Sequence, residues 1–231
     1  MTRIALFASG TASNAQRILE HFGYLRAAPT PGCAVSDTAT RSGEIVCTIS
    51  DRSSSGIHQL AATSGLPGFI VSYRSGREHA EHRIRSVLAE QKVDLLVLAG
   101  YMRLLGAELV DTYTGRILNI HPSLLPAFPG MHAIERSFQS GAARAGITVH
   151  LVDAGMDTGP VIAQASFDRS TIESIGDFEK QIHRLEHILY PEVVEQVAEY
   201  IDNGQWPGAT LNALRLRESL PDCYRLEDTH T

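Results

Sequence analysis

Short apolar runs alternate with longer amphipathic stretches through the first half of the chain. Residues 3–8 (RIALFA) form a β run that opens onto Ser9-Gly10-Thr11-Ala12-Ser13-Asn14, and residues 15–22 then read as a helix. Residues 45–49 are a second strand, ending at Ser50-Asp51-Arg52. Residues 56–64 read as a helix closed by Gly65, where a left-handed C-cap suits glycine. Residues 68–71 are a third strand, and 75–91 a long polar helix with Ile84, Val87 and Leu88 at helical spacing. The run 94–99 (DLLVLA) is apolar throughout, as a central parallel strand should be, and 116–120 is another strand. This rhythm predicts an α/β fold, a doubly wound and mostly parallel sheet flanked by helices, with right-handed crossovers. Ligands of such sheets sit beyond the C-terminal strand ends. Segments 9–14, 100–103 and 119–126 all follow strand ends, so the pattern places them around one cleft.

The second half has a different pattern. Residues 148–153 alternate like a half-buried strand, and 161–167 form its partner across a glycine-rich turn. Residues 177–203 read as one long helix with Ile182, Leu185, Ile188 and Leu189 on one face, which Pro191 is expected to kink or divide. The chain thus reads as one domain over 1–204 and an irregular C-terminal tail over 205–231. The stretch 27–43, rich in Ala, Pro, Thr, Ser and Gly, reads as a loop or an excursion around a sheet edge.

Three segments carry candidate chemistry. Asn119 and His121 stand two apart at the end of a strand, so a continuing strand would point both to one side. Pro122 then restricts His121 to extended backbone. Asp157 lies in the turn Asp153-Ala154-Gly155-Met156-Asp157-Thr158-Gly159-Pro160. An amide, an imidazole and a carboxylate brought together can bind a developing oxyanion and move a proton, which is what acyl-type transfer needs. Each also has a plain structural reading: a satisfied core Asn and His, and an Asx-turn. The 9–14 turn offers backbone N–H groups at a helix N-terminus, with Ser and Asn side chains, as a phosphate cradle. It would equally serve as a simple turn with Ser13 or Asn14 as N-cap. It lacks the dinucleotide glycine pattern and the P-loop lysine, which argues against NAD and ATP. His183-Arg184-Leu185-Glu186-His187 spells H-x-x-E-H, but no third zinc ligand is evident and a metal would leave Asn119 and His121 unexplained.

Composition narrows the classes further. Apolar residues make up 43% and charged residues 20%, with a net charge of −6 and no basic run, so nucleic acid is a poor candidate partner. No apolar run reaches the ~18 residues of a membrane span, and the N-terminus reads as a first strand rather than a signal peptide. Cys33, Cys47 and Cys223 are odd in number and far apart, which suits a reducing cytoplasm rather than a disulfide framework.

Four segments give the chain a family resemblance: Phe7-Ala8-Ser9-Gly10 with Ser13-Asn14; Leu98-Ala99-Gly100-Tyr101-Met102-Arg103-Leu104; 119–130 (NIHPSLLPAFPG); and 146–164 (GITVHLVDAGMDTGPVIAQ). With 182–191 (IHRLEHILYP), they resemble the phosphoribosylglycinamide formyltransferase family over most of residues 3–200. The resemblance implies a Rossmann-like formyltransferase domain and a role in de novo purine biosynthesis. It implies transfer of formyl from 10-formyltetrahydrofolate to the amine of glycinamide ribonucleotide, both small-molecule substrates, with no metal. It also implies site roles. Asn119, His121 and Asp157 would be catalytic, with Asp157 keeping His121 charged. Ala12, Ser13, Asn14, Arg77 and Glu186 would bind the ribonucleotide. Met102, Arg103, Leu104, Leu105 and Asp153 would hold the folate, largely through backbone groups.

Two features depart from the family pattern. Ala12 stands where the family's phosphate loop usually has Gly, so its methyl would crowd a ligand or resist a positive φ. The segment 24–43 looks longer than its counterpart. Both bear on the amine acceptor, so the alternative reading is a folate-dependent formyltransferase for another amine, such as an amino sugar. A methionyl-tRNA formyltransferase fits less well, given the acidic chain and the short stretch after the last helix. A formyltetrahydrofolate hydrolase would carry an N-terminal regulatory domain, whereas here a strand begins at Arg3. A non-enzymatic binder would not need all three of Asn119, His121 and Asp157.

Overall fold

The computed structural model describes residues 1–26, 41–206, 220, 221 and 223–227. Its strands are β1 (Arg3–Phe7), β2 (Glu44–Ser50), β3 (Gly68–Ile70), β4 (Leu95–Leu98), β5 (Ile117–His121), β6 (Arg144–Leu151), β7 (Val161–Asp168) and β8 (Tyr224–Leu226). Its helices are α1 (Ser13–His21), α2 (Ile57–Ser64), α3 (Arg77–Glu90), α4 (Ala107–Thr112), α5 (Ala133–Gln139) and α6 (Ile175–Asp202). Among the described residues the strands form one sheet in the order β3-β2-β1-β4-β5-β6-β7-β8. The first five strands in that order run parallel, and β6, β7 and β8 add on antiparallel. The doubly wound, mostly parallel architecture is the one the sequence pattern predicts.

The apolar strands are buried on both faces, and the pleat divides their side chains between two cores. Ile4 and Leu6 of β1, with Leu95 and Val97 of β4, pack under α1 and α6. The alternate residues Ala5, Phe7, Leu96 and Leu98 pack under α3 and α4, against Ile84, Val87, Leu88 and Leu109. Residues 44–50 supply a further strand between β1 and β3 for the same reason, with all but Glu44 buried.

Helix α6 governs one wall of the site. Ser174 caps it, its hydroxyl accepting the Asp177 amide at 3.1 Å. The 28-residue helix runs through Pro191 without the division expected from sequence. The apolar face Phe178, Ile182, Leu185, Leu189, Val193 and Val197 is fully buried, and that burial outweighs the lost backbone hydrogen bond. Tyr190 is also fully buried, and its hydroxyl lies 3.0 Å from Leu98 O and 3.2 Å from Leu118 O. One side chain thus fixes α6 to the strands β4 and β5 that lead into the cleft.

The tail is not wholly irregular, contrary to the sequence expectation. Tyr224–Leu226 pairs antiparallel with β7, Phe167 and Tyr224 meet edge to face at 6.2 Å, and the Tyr224 hydroxyl donates to Gln181 Oε1 of α6 at 2.8 Å. Three residues are too short for a period-2 signal, so only a docking edge on β7 could reveal them. Most of the 27–43 stretch, including Cys33, lies outside the described residues. Cys47 is buried and Cys223 exposed. Among the described residues no helix is long and apolar enough to cross a membrane.

Candidate active site

β1, β2, β4 and β5 run parallel, so their C-terminal ends lie along one edge of the sheet, and β6 pairs antiparallel beside β5. In the β5–β6 ladder Asn119 stands opposite His150, and His121 opposite Thr148. Directly opposed residues of an antiparallel pair share a face. Asn119 Nδ2 accordingly lies 3.1 Å from His150 Nε2. His150 Nδ1 is 2.8 Å from Leu151 O, and its Nε2 lies between Asn119 Nδ2 and Asp157 Oδ1. The other N–H of the Asn119 amide remains for a ligand, and Asn119 is only half buried.

Thr148 fixes the segment that follows β5. Its hydroxyl donates to Ser123 O (2.7 Å), accepts the Leu125 amide (2.9 Å), and lies 2.8 Å from Gln164 Nε2. Gln164 also donates to Leu125 O at 2.7 Å. The Leu125–Pro126 peptide is cis. The loop then brings Phe128 O to 2.9 Å from His121 Nε2.

Asp157 closes the constellation. Its Oδ2 lies 3.3 Å from His121 Nδ1 and accepts the Gly130 amide at 2.7 Å, and its Oδ1 lies 3.6 Å from His150 Nε2. The carboxylate therefore sits between two imidazoles. The His150 contact, reinforced by the Gly130 amide and the His121 charge, lowers its pKa to about 2 against the effect of burial. Phe128 (φ 57°), His132 (φ 58°) and Asp157 (φ 56°) are all left-handed. Such backbone costs about 1–2 kcal/mol per residue and gathers at functional sites. Gly159 closes the 153–160 turn so tightly that any Cβ there would collide with Leu151 O.

His121 departs from the sequence expectation in one respect. Its two nitrogens face two acceptors, Phe128 O and Asp157, and both raise its pKa, as expected of a neighbouring carboxylate. The imidazole is 5% exposed, and this burial outweighs them, so the net shift is downward. Burial therefore favours the neutral imidazole over the imidazolium.

The second cluster lies at the start of α1. Ala12 is the N-cap, with no side-chain cap bond from Ser13 or Asn14, and the Ser13, Asn14 and Ala15 amides form the helix's first turn. Asn14 Nδ2 donates to Glu186 Oε2 at 3.0 Å, and His183 Nδ1 lies 3.0 Å from the same oxygen. Glu186 raises the His183 pKa, placing a more basic imidazole, half exposed, at the edge of this cluster. Ala12 does hold a positive φ, 63°, but its methyl is 4% exposed and packs into the core. The methyl therefore strains the backbone without crowding the cradle. Ala12→Gly is expected to change stability by less than about 1 kcal/mol, because relief of the left-handed strain offsets the lost methyl burial and added chain entropy. Thermal unfolding with acceptor KM measurement checks this, and KM should not move.

The third cluster is the loop after β4. Arg77, Leu104, Leu105, Val152, Asp153, Ala154 and Met156 line a cavity of about 360 Å³. Leu104, which lines it, and Met102 of the same loop are exposed, at 61% and 70%. Asp153 Oδ1 accepts the Gly155 amide (2.9 Å) and the Thr158 hydroxyl (2.7 Å), which shapes the opposite wall. Arg77 belongs to this cluster. Its Nε donates to Glu81 (2.7 Å) and its Nη2 to Leu104 O (3.2 Å), so the structure bonds it to the loop after β4 rather than to Ser13 or Asn14.

His150 and the Phe128 carbonyl were not among the residues picked from sequence, and His183 entered only through the H-x-x-E-H motif. The alternation of Thr148 and His150 along one strand face was the available signal for the first. The Phe128 carbonyl needed the fold.

A doubly wound sheet with an amide, two imidazoles and a carboxylate gathered near its strand ends is an arrangement that can serve acyl transfer. The chain belongs to the formyl transferase family, whose model matches residues 2–194. It is 37% identical over 207 residues to the phosphoribosylglycinamide formyltransferase of Bacillus subtilis, covering 89% of this chain and 99% of that one. It is similar to the crystal structure of glycinamide ribonucleotide transformylase 1 from Geobacillus kaustophilus (38% identity, TM-score 0.75, 84% and 97% of the two chains). It also matches part of the human trifunctional purine biosynthetic protein adenosine-3, at 29% identity over 18% of that protein.

Proposed function

We propose that the protein transfers the formyl group of 10-formyltetrahydrofolate to the primary amine of glycinamide ribonucleotide in purine biosynthesis. The observation that carries this reading is Asp157 set between His121 and His150, with Asn119 across the ladder. The amine nitrogen attacks the formyl carbon, and the carbonyl electrons move onto oxygen. The free N–H of Asn119 and the proton of His121 stabilise that oxyanion, a good donor contributing about 3 kcal/mol. Asp157, ionised at neutral pH, stabilises the imidazolium and orders a water that relays the amine proton. Collapse of the intermediate breaks the bond between the carbon and N10, which takes up the proton. The products are the formamide and tetrahydrofolate, and the residues return to their starting charge.

Ser13, Asn14 and the α1 amides would hold the ribonucleotide phosphate, with Ala12 shaping the turn. Glu186, beside Asn14, would accept the ribose hydroxyls, and this use of the carboxylate accounts for the H-x-x-E-H segment without a metal. The loop Met102, Arg103, Leu104, Leu105 and the Asp153 turn would take the pteridine, with Arg77 supporting Leu104. The reading needs no nucleic-acid partner and no membrane, and fits an enzyme of the cytoplasm.

An amine panel with 10-formyltetrahydrofolate tests it. Glycinamide ribonucleotide should be the best acceptor by kcat/KM. Inactivity on it, with turnover of an amino sugar or another amine, would replace the acceptor and leave the donor chemistry in place.

A further inference from the structure

Asp51, the first residue beyond β2, is a carboxylate with a fully buried side chain. It is not part of the machinery described above. Its Oδ2 accepts Arg103 Nε at 2.7 Å, and its Oδ1 has no hydrogen-bond partner. Burial works to raise its pKa, but the Ser9 hydroxyl and the Arg103 guanidinium bring it below the usual carboxylate value, so it is charged. Ser9, beyond β1, is itself 2% exposed and accepts the Met102 amide at 2.9 Å through its hydroxyl. Arg103 lies over the Tyr73 ring, 4.8 Å from its centroid, and the Tyr73 and Tyr101 hydroxyls are 3.2 Å apart. The ends of β1, β2 and β4 thus meet at one carboxylate, and two consecutive residues of the donor-side loop, Met102 and Arg103, are fixed by it or by its Ser9 neighbour.

A buried ion pair is a poor source of stability, since a well-packed apolar replacement is often as good. It does fix geometry, because a guanidinium held by a carboxylate and an aromatic face has one orientation. We propose that Asp51 is a positioning residue that holds the Met102–Leu105 loop in its folate-binding conformation, an assignment that rests on the donor reading above. Asp51 acts through Arg103 and Ser9 and touches neither substrate.

The test uses the full-length protein and 5-formyltetrahydrofolate, a folate probe, titrated calorimetrically. Asp51→Ala should raise the probe Kd about tenfold, the equivalent of ~1.4 kcal/mol. The KM for 10-formyltetrahydrofolate should rise in step, while kcat at saturation and the KM for glycinamide ribonucleotide stay near wild type. Asp51→Asn should fall between, because the amide oxygen can still accept Arg103 Nε without the charge. In an Arg103→Gln background, Asp51→Asn should add less than it does alone. An unchanged probe Kd in Asp51→Ala overturns the assignment, as does an equal loss for both substrates that tracks a lowered Tm. If Asp51→Ala does not fold, the Asp51→Asn and Arg103→Gln cycle decides, and additive effects overturn it. Failure of the wild-type protein to bind the probe overturns the donor reading itself, and this assignment with it.

Discussion

Replacing Asp157 with Asn is expected to leave a folded protein whose kcat falls about 10²–10⁴-fold, with KM for both substrates little changed. The amide keeps an acceptor for the Gly130 N–H, now at 2.7 Å, and Asn tolerates the left-handed φ of 56° as well as Asp does. What it loses is the negative charge between His121 and His150, at 3.3 and 3.6 Å. Without it, no carboxylate supports His121 when it carries a proton, and the amine proton has no anionic relay. The stability effect has a definite sign. The folded carboxyl has its pKa lowered from 3.8 to about 2, so its contribution is present above the ordinary carboxylate value. It disappears as pH falls through about 2. The shift corresponds to about 2 kcal/mol at neutral pH. Asp157→Asn should therefore melt roughly 4–8 °C below wild type at pH 7, with the gap closing in strong acid. Steady-state kinetics and calorimetric melting across pH measure both, and near-normal turnover would remove Asp157 from the catalytic role.

Asn119→Ala is expected to reduce kcat about 10²–10³-fold, the usual consequence of deleting one oxyanion donor. Asn119 Nδ2 already lies 3.1 Å from His150 Nε2, so the change also removes a partner from a buried imidazole nitrogen. That costs stability by about 1–3 kcal/mol. Asn119→Asp separates the two effects. It preserves shape but has no N–H to give, so kcat should fall as far as in the alanine variant. An aspartate variant that keeps most of its activity would show that Asn119 acts by shape and not as a donor.

The periodic apolar runs were enough to place the strands around the cleft, because burial on both faces of a parallel sheet writes itself into local composition. Asn119 and His121 were legible as a same-side pair for the same local reason. Gly65 was readable as a left-handed C-cap, and it has φ 69°. His150 was not, because its role depends on which residue of β6 stands opposite Asn119, and register is fixed by long-range pairing. Arg77 shows a similar limit: its position at the start of α3 was clear, but its bond to Leu104 O depends on how α3 packs beside the β4 loop.

The sequence by itself determined the α/β class, the strand ends that form the cleft, and the family to which the chain belongs. Those follow from patterns only a few residues long, or from motifs whose chemistry needs fixed spacing. The tertiary structure alone decided that burial, more than the Asp157 charge, sets the His121 pKa, that the Ala12 methyl faces the core, and that Tyr224–Leu226 extends the sheet. Each of these depends on groups far apart in the chain being brought within a few ångströms. Desolvation, side-chain direction at a strained φ and edge-strand pairing exist only once that packing is complete.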